Sequence, residues 1–222
     1  KSAAIVHDDA DLEAFENDLR WGIFFNAGQV CSAMSRVIVH DSIHDELVDR
    51  MVGVAKSLSL KPGIDQTEFG PTMGAMVSEA QRDRAIGMIC AAQEEGARIA
   101  AGGHKGNIPG AFLVLLVGAD VLPERASARA AGFGPVVSVL KFSTDGEAIQ
   151  IANGTPYGLV GGVFTRDLDR ATSAARQMRA GQVFVNEWYA GGVETPFGGF
   201  GKSGYGREKG REALWNYVQT KN

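Results

Sequence analysis

The sequence of 222 residues predicts an α/β fold built on a doubly wound, mostly parallel sheet flanked by helices. Three observations predict it. Short β-branched runs alternate with longer stretches of helical period along the chain, the pattern of parallel strands joined by crossover helices. The runs Arg36–His40 and Pro135–Phe142 suit strands in the middle of a sheet, covered on both faces. With 45% hydrophobic and 22% charged residues, the composition is that of an ordinary globular protein long enough to bury a full core.

The elements follow in order. Ala3–Val6 reads as a first strand. Leu12, Phe15 and Leu19 recur at three- and four-residue steps, so they share one face of a helix that Asp8 or Asp9 is placed to cap. That helix runs into Phe24–Ala33 and breaks at Gly28, and the strand Arg36–His40 follows. Ile43, Leu47, Val48, Met51, Val54, Ala55 and Leu58 make a helical stripe stopped by Lys61-Pro62-Gly63. Thr67–Met76 reads as a loop. Val77–Glu95 is a long helix with Gly96 as its stop, and Cys90 reads as a core residue among Ile86, Ile89 and Ala92. Strands are expected at Ala97–Ala101, Phe112–Val117, Pro135–Phe142, Val160–Thr165 and Gln182–Asn186. Helices are expected at Asp145–Ala152, Leu168–Met178 and Arg207–Tyr217. Val218–Asn222 reads as the start of a further strand.

Several function classes are excluded on composition and spacing. A net charge of −4 without a dense Lys/Arg run argues against a nucleic-acid partner. The longest apolar stretch, Ala111 to Ala119, falls short of the roughly 18 residues of a membrane helix. Two cysteines without a CxxC pair indicate reduced thiols in a cytoplasmic setting. The four histidines form no ligand pair, so no metal site is expected. Gly199-Phe200-Gly201-Lys202-Ser203-Gly204 fits G-x-G-x-x-G. A Pro-Phe-Gly-Gly loop precedes it where the dinucleotide fingerprint needs a strand, and no acidic residue follows about 20 positions on. These glycines are expected to let a loop pass close to the functional centre.

Cys31 stands between the helix that breaks at Gly28 and the strand Arg36–His40. Backbone N–H groups that have lost helical partners favour a thiolate and can hold an oxyanion. On spacing alone Cys31 is either a nucleophile or a small buried hydrophobe.

The run Phe24–Ser35, with its Gly28-Gln29-Val30-Cys31, resembles the active-site signature of the aldehyde dehydrogenases. Lys1-Ser2-Ala3, Phe133-Gly134-Pro135-Val136-Val137, Asn153–Leu159 and Pro196-Phe197-Gly198-Gly199 through Gly204 match the same family in the same order. The resemblance implies that Cys31 attacks an aldehyde and that hydride passes to NAD or NADP. It also implies that Phe133 touches the nicotinamide end of the cofactor and that Phe25, Trp188 and Phe197 line the substrate tunnel. It makes residues 1–217 a C-terminal catalytic domain and 218–222 the start of an oligomerisation strand, so a homo-oligomer, a dimer or tetramer, is expected. The family's general-base glutamate belongs to a Glu-Leu-Gly-Gly-Lys run of which the chain carries only Lys1, and the N-terminal cofactor domain is expected to be absent. A cofactor-binding glutamate of the family is replaced by Ala131. On these grounds turnover by the chain alone is not expected, and a non-catalytic scaffold or a cofactor-independent thiol esterase stand as alternatives. Trp188 and Tyr189 suggest a bulky tunnel wall, and Glu187 or Glu194 could attract an amino group.

Overall fold

A computed structural model describes residues 1–65, 72–125 and 132–222. Its sheet contains β1 (Ala3–Val6), β2 (Arg36–His40), β5 (Arg98–Ala101), β6 (Leu116–Ala119), β7 (Val136–Phe142), β9 (Val160–Phe164) and β10 (Gln182–Val185). The strand order is β10-β9-β1-β2-β7-β6-β5, and every pair is parallel except the edge pair β5–β6. Two short pairs lie outside it: β3 (Ser59–Leu60) with β4 (Thr72–Met73), parallel, and β8 (Tyr157–Gly158) with β11 (Phe200–Gly201), antiparallel.

Period-two alternation along the strands makes the sheet doubly wound. Ala4, Val6, Val37, Val39, Val137 and Val139 pack with Phe15 and Leu19 of α1 (Leu12–Leu19), with Leu47 and Met51 of α2 (His44–Ser57), and with Ala85 of α3 (Glu79–Glu94). Ala3, Ile5, Ile38 and Leu140 point the other way, onto Ala148 and Ile151 of α4 (Asp145–Asn153) and Ala171 and Ala174 of α5 (Leu168–Gln177). Arg36 opens β2 on that second side. Its guanidinium is buried and donates to the carbonyls of Ile151 (2.7 Å) and Ala152 (2.7 Å) in the last turn of α4, and to that of Lys1 (2.9 Å). Burial lowers its pKa to about 10, yet the carbonyls it reaches are those a helix end leaves without partners. No described helix is long and apolar enough to cross a membrane.

Several expectations are corrected. The cap of α1 is Asp11, which accepts from Ala14 N (3.1 Å). Asp9 instead accepts from Thr165 Oγ1 (2.7 Å) and Asp8 from Arg170 (2.9 Å), tying the turn after β1 to the turn after β9. The strand expected at Phe112–Val117 begins only at Leu116. Residues 113 and 114 are engaged with the loop before them, Leu113 bridging Lys105 and Val114 N donating to His104 O (2.8 Å). The loop expected at Thr67–Met76 contains β4, and its residues 67–71 lie outside the described ones. Cys90 is exposed: α3 turns Ala85, Ile89 and Ala92 inward, which carries Cys90 toward solvent. The closing helix, expected at Arg207–Tyr217, is a 3₁₀ turn, Arg211–Tyr217, with none of its residues buried.

Candidate active site

The segment between α1 and β2 is irregular from end to end. After α1 the chain makes one π-helical turn at Arg20–Phe24, then a 3₁₀ turn at Phe25–Gly28 in which Asn26 (φ 50°) and Ala27 (φ 51°) are left-handed. Gly28 continues at φ 69°. Left-handed backbone costs a non-glycine residue about 1–2 kcal/mol, so neighbours must hold it in place. Asn26 and Gln29 do so reciprocally: Asn26 Nδ2 donates to Gln29 O (3.2 Å) and Gln29 Nε2 to Asn26 O (3.1 Å). Gln29 Oε1 accepts from Val77 N (2.9 Å), and Met34 N donates to Gly22 O (2.7 Å), folding the far end of the loop back onto the π turn.

Cys31 sits exposed at the apex, between buried Gly28 and buried Ser32. Among the described residues none accepts a hydrogen bond from the backbone N–H of Cys31 or Ser32. The loop is pressed against the Phe133 segment: a Cβ on Gly28 would lie 2.1 Å from Gly134 O. Phe133 is half-exposed there, its carbonyl accepting from Gln81 Nε2 (2.7 Å). Ala131 lies outside the described residues.

Two cavities flank the loop. A cleft of about 430 Å³ is walled by Arg20, Trp21, Phe24, Phe25, Leu58 and Met73. Phe25 and Trp21 are exposed, with ring centres 6.2 Å apart. A second cavity of about 260 Å³ is lined by Ser32, Phe184, Tyr189, Thr195, Phe197 and Glu208 among others. Phe197 is fixed there by paired backbone bonds with Glu208 (2.7 Å each), and Lys209 Nζ lies 5.8 Å from its ring centre.

Trp188 is not on either wall. It is buried, its ring edge-on to Phe184 (5.7 Å) and lying where a Cβ on Gly162 would come within 2.7 Å, while its backbone N donates to Asp18 (2.7 Å). Its neighbour takes the cavity instead. Tyr189 is left-handed (φ 68°), and burial raises the pKa of its hydroxyl, with Ser32 beside it acting the other way. Glu187 and Glu194 line neither cavity; Glu194 accepts from Gly192 N (3.0 Å). Arg20, Glu208 and Lys209 are the charged cavity residues that sequence reasoning missed. Arg20 was hidden by helical period, which a π turn breaks. Gly198, Gly199 and Gly201 serve close approach, Gly201 (φ 58°) sitting where a Cβ would be 2.5 Å from Pro156 O, whereas Gly204 and Gly206 have nothing within 4 Å of a Cβ.

The model of the aldehyde dehydrogenase family matches residues 1–222. The chain belongs to the aldehyde dehydrogenase family. Among aldehyde dehydrogenases of known function, it is 40% identical over 223 residues to a betaine aldehyde dehydrogenase of Cereibacter sphaeroides and 39% identical over 221 residues to cytosolic aldehyde dehydrogenase 1 of Rattus norvegicus. Both matches cover 100% of this chain, but only 45% and 44% of those relatives, so the chain spans less than half their length. The aldehyde dehydrogenase of Bacillus cereus, solved as an NAD⁺ complex, superposes with a TM-score of 0.93 at 39% identity, over 99% of this chain and 44% of that one. The betaine aldehyde dehydrogenase of Staphylococcus aureus, also with NAD⁺, gives 0.92 at 34% identity, over 97% and 43%.

Proposed function

We propose that Cys31 is the nucleophile of an enzyme that oxidises an aldehyde to a carboxylic acid with NAD or NADP. The observation that carries the reading is the placement of an exposed thiol at the apex of a strained loop, pressed through Gly28 onto the Phe133 segment. Attack by the Cys31 thiolate forms a C–S bond and pushes the carbonyl electron pair onto oxygen. The N–H groups of Cys31 and Ser32, without acceptors among the described residues, suit that oxyanion. NAD or NADP, when bound, supplies the hydride acceptor that converts the adduct to a thioester. Phe133, with its half-exposed ring, is the residue of this chain suited to a nicotinamide ring, and Phe25 and Phe197 are apolar walls that limit water near the thioester. Hydrolysis returns the thiol and releases the acid.

The residue ranges carry a proposal too: 1–217 as the catalytic unit and 218–222 as the start of a pairing strand. The exposed Leu214, Trp215, Tyr217 and Val218 support a homo-oligomer, a dimer or tetramer. Light scattering at tens of micromolar tests it, and a clean monomer refutes it. Two free, exposed cysteines fit a reducing, cytoplasmic setting.

The deciding experiment is pre-steady-state hydrolysis of a 4-nitrophenyl ester, read with intact mass. One equivalent of nitrophenolate and an acyl adduct on Cys31, both lost in Cys31→Ser, establish the nucleophile. Equal behaviour of wild type and Cys31→Ser overturns it and leaves a scaffold.

A further inference from the structure

Among the described residues, the cleft beside the Cys31 loop holds one charge without a counter-charge. Its walls are aromatic and aliphatic, and Arg20 is the charged residue among them. Arg20 is half-buried and its Nη1 donates to Ser57 Oγ (3.1 Å), while that hydroxyl passes its own proton to Val54 O (2.7 Å). Ser57 therefore acts toward Arg20 purely as an acceptor, which aims the guanidinium and leaves its other N–H groups free. The carboxylate one helical turn before it, Glu16, is held by Arg50 at 2.8 Å, and Arg50 also takes Glu46 at 3.0 Å. Among the described residues no carboxylate lies within ion-pair distance of Arg20.

The cleft shares Phe25, Asn26 and Ala27 with the loop that leads to Cys31. Arg20 opens the π turn, and Met34 N returns to Gly22 O (2.7 Å), so the arm carrying Cys31 closes back on the same turn. A π turn and consecutive left-handed residues within one loop mark a segment shaped for a ligand rather than for stability. A planar fork of donors in a wall of low polarity is the arrangement that recognises a carboxylate.

Resting on the reading of Cys31 as nucleophile, we propose that Arg20 is a specificity-determining residue that pairs with a carboxylate at the far end of the substrate. The preferred substrates are then aldehydes that carry an acid group, the semialdehydes of dicarboxylic acids. The cleft takes the methylene chain between Phe25 and Leu58, and Arg20 takes the charge.

The test uses the intact protein and acylation of Cys31, read by intact mass, by 4-nitrophenyl half-esters of adipic, pimelic and suberic acids, chains too long for the free carboxylate to expel 4-nitrophenolate as a cyclic anhydride, each against its methyl diester, which nearly keeps the length and removes the charge. In every reaction the thiolate displaces 4-nitrophenolate, so no cofactor enters. Wild type is expected to favour at least one half-esterified acid by about tenfold to a hundredfold, the worth of a charge-assisted pair. Arg20→Gln is expected to collapse that ratio toward one, Arg20→Lys to restore part of it, and Ser57→Ala to lower it partway by releasing the guanidinium. A ratio near one in wild type at every chain length overturns the inference, as does a ratio that survives in Arg20→Gln. Absence of acylation by all six esters overturns the nucleophile reading itself, a different outcome from acylation without preference.

Discussion

Gly28 and Gly134 touch backbone to backbone: the place of a Cβ on Gly28 lies 2.1 Å from the Gly134 carbonyl oxygen, at a φ of 69° that a side chain resists in any case. This contact joins the loop of Cys31 to the segment of Phe133, which lie more than one hundred positions apart in the chain. Two separate penalties therefore meet at Gly28, one steric and one conformational.

Gly28→Ala is expected to destabilise the fold by about 2 kcal/mol or more and to slow acylation of Cys31 further than the lost stability accounts for. Gly53 provides the contrast. It lies in α2 with nothing within 4 Å of its Cβ position, so Gly53→Ala should stabilise by about 0.5–1 kcal/mol. Urea denaturation of both variants, with burst rates measured on the folded fraction, checks the pair.

Arg36 spends its guanidinium on carbonyls of α4 and Lys1. Arg36→Met fills similar space but strands those acceptors, at an expected cost of about 3 kcal/mol or more. Arg36→Lys, with no planar fork, should recover only part of it. Equal denaturation midpoints for wild type and Arg36→Met would show that the buried network contributes nothing.

His7 follows β1 into the core, edge-on to Phe142 at 5.3 Å, with neither ring nitrogen hydrogen-bonded and Asp145 3.6 Å away. Burial, then the Arg170 charge, lowers its pKa below 6.5, against the pull of Asp145, Asp9 and Asp8. The unfolded chain therefore binds a proton that the folded one refuses. Stability from this group is complete above pH 6.5 and is lost as pH falls below it, by at most about 1.4 kcal/mol per pH unit. The slope of stability between pH 7 and 5 should flatten in His7→Leu.

Trp188 belongs to the core rather than to a cavity wall, so its truncation should act on folding. Trp188→Ala is expected to cost about 3–5 kcal/mol. The ratio of acylation rates for short and long esters, measured on the folded fraction, should stay that of wild type. A changed ratio would return Trp188 to the site.

What the sequence revealed and what it hid divide along physical lines. Strands such as Arg36–His40 and Val160–Phe164 were legible because burial on both faces leaves continuous apolar runs. The Cys31 loop was legible because the helical period fails ahead of it, although the α-helix ends at Leu19 and the chain is already left-handed at Asn26, before the expected break at Gly28. Cys90 misled because an apolar neighbourhood in sequence is not one in space: a 100° step per residue separates it from Ile89. Of Trp188 and Tyr189, both expected on a tunnel wall, Tyr189 lines a cavity and Trp188 is buried; the chain is left-handed at Tyr189, and no residue type announces that except glycine. The tail 207–217 has apolar residues at helical spacing, but spacing alone does not state whether a surface waits for them. Arg20 went unseen because its role depends on Ser57 and Glu16, contacts set by tertiary structure.

The first strand lies in the middle of the sheet. Ala3 faces Arg36 on one side and Gly161 on the other, so β1 is the seam between a pair of strands drawn from the last third of the chain and a set drawn from the middle. Neither half is local in sequence: β2 (Arg36–His40) pairs with β7 (Val136–Phe142), and β9 and β10 reach the sheet only through β1. Contacts of such long range slow folding, because the loop between them must be closed before the pairing rewards it. During synthesis β1 keeps one hydrogen-bonding edge unsatisfied until β9 has left the ribosome. Truncations that remove β1 should therefore release two fragments of sheet rather than one weakened domain.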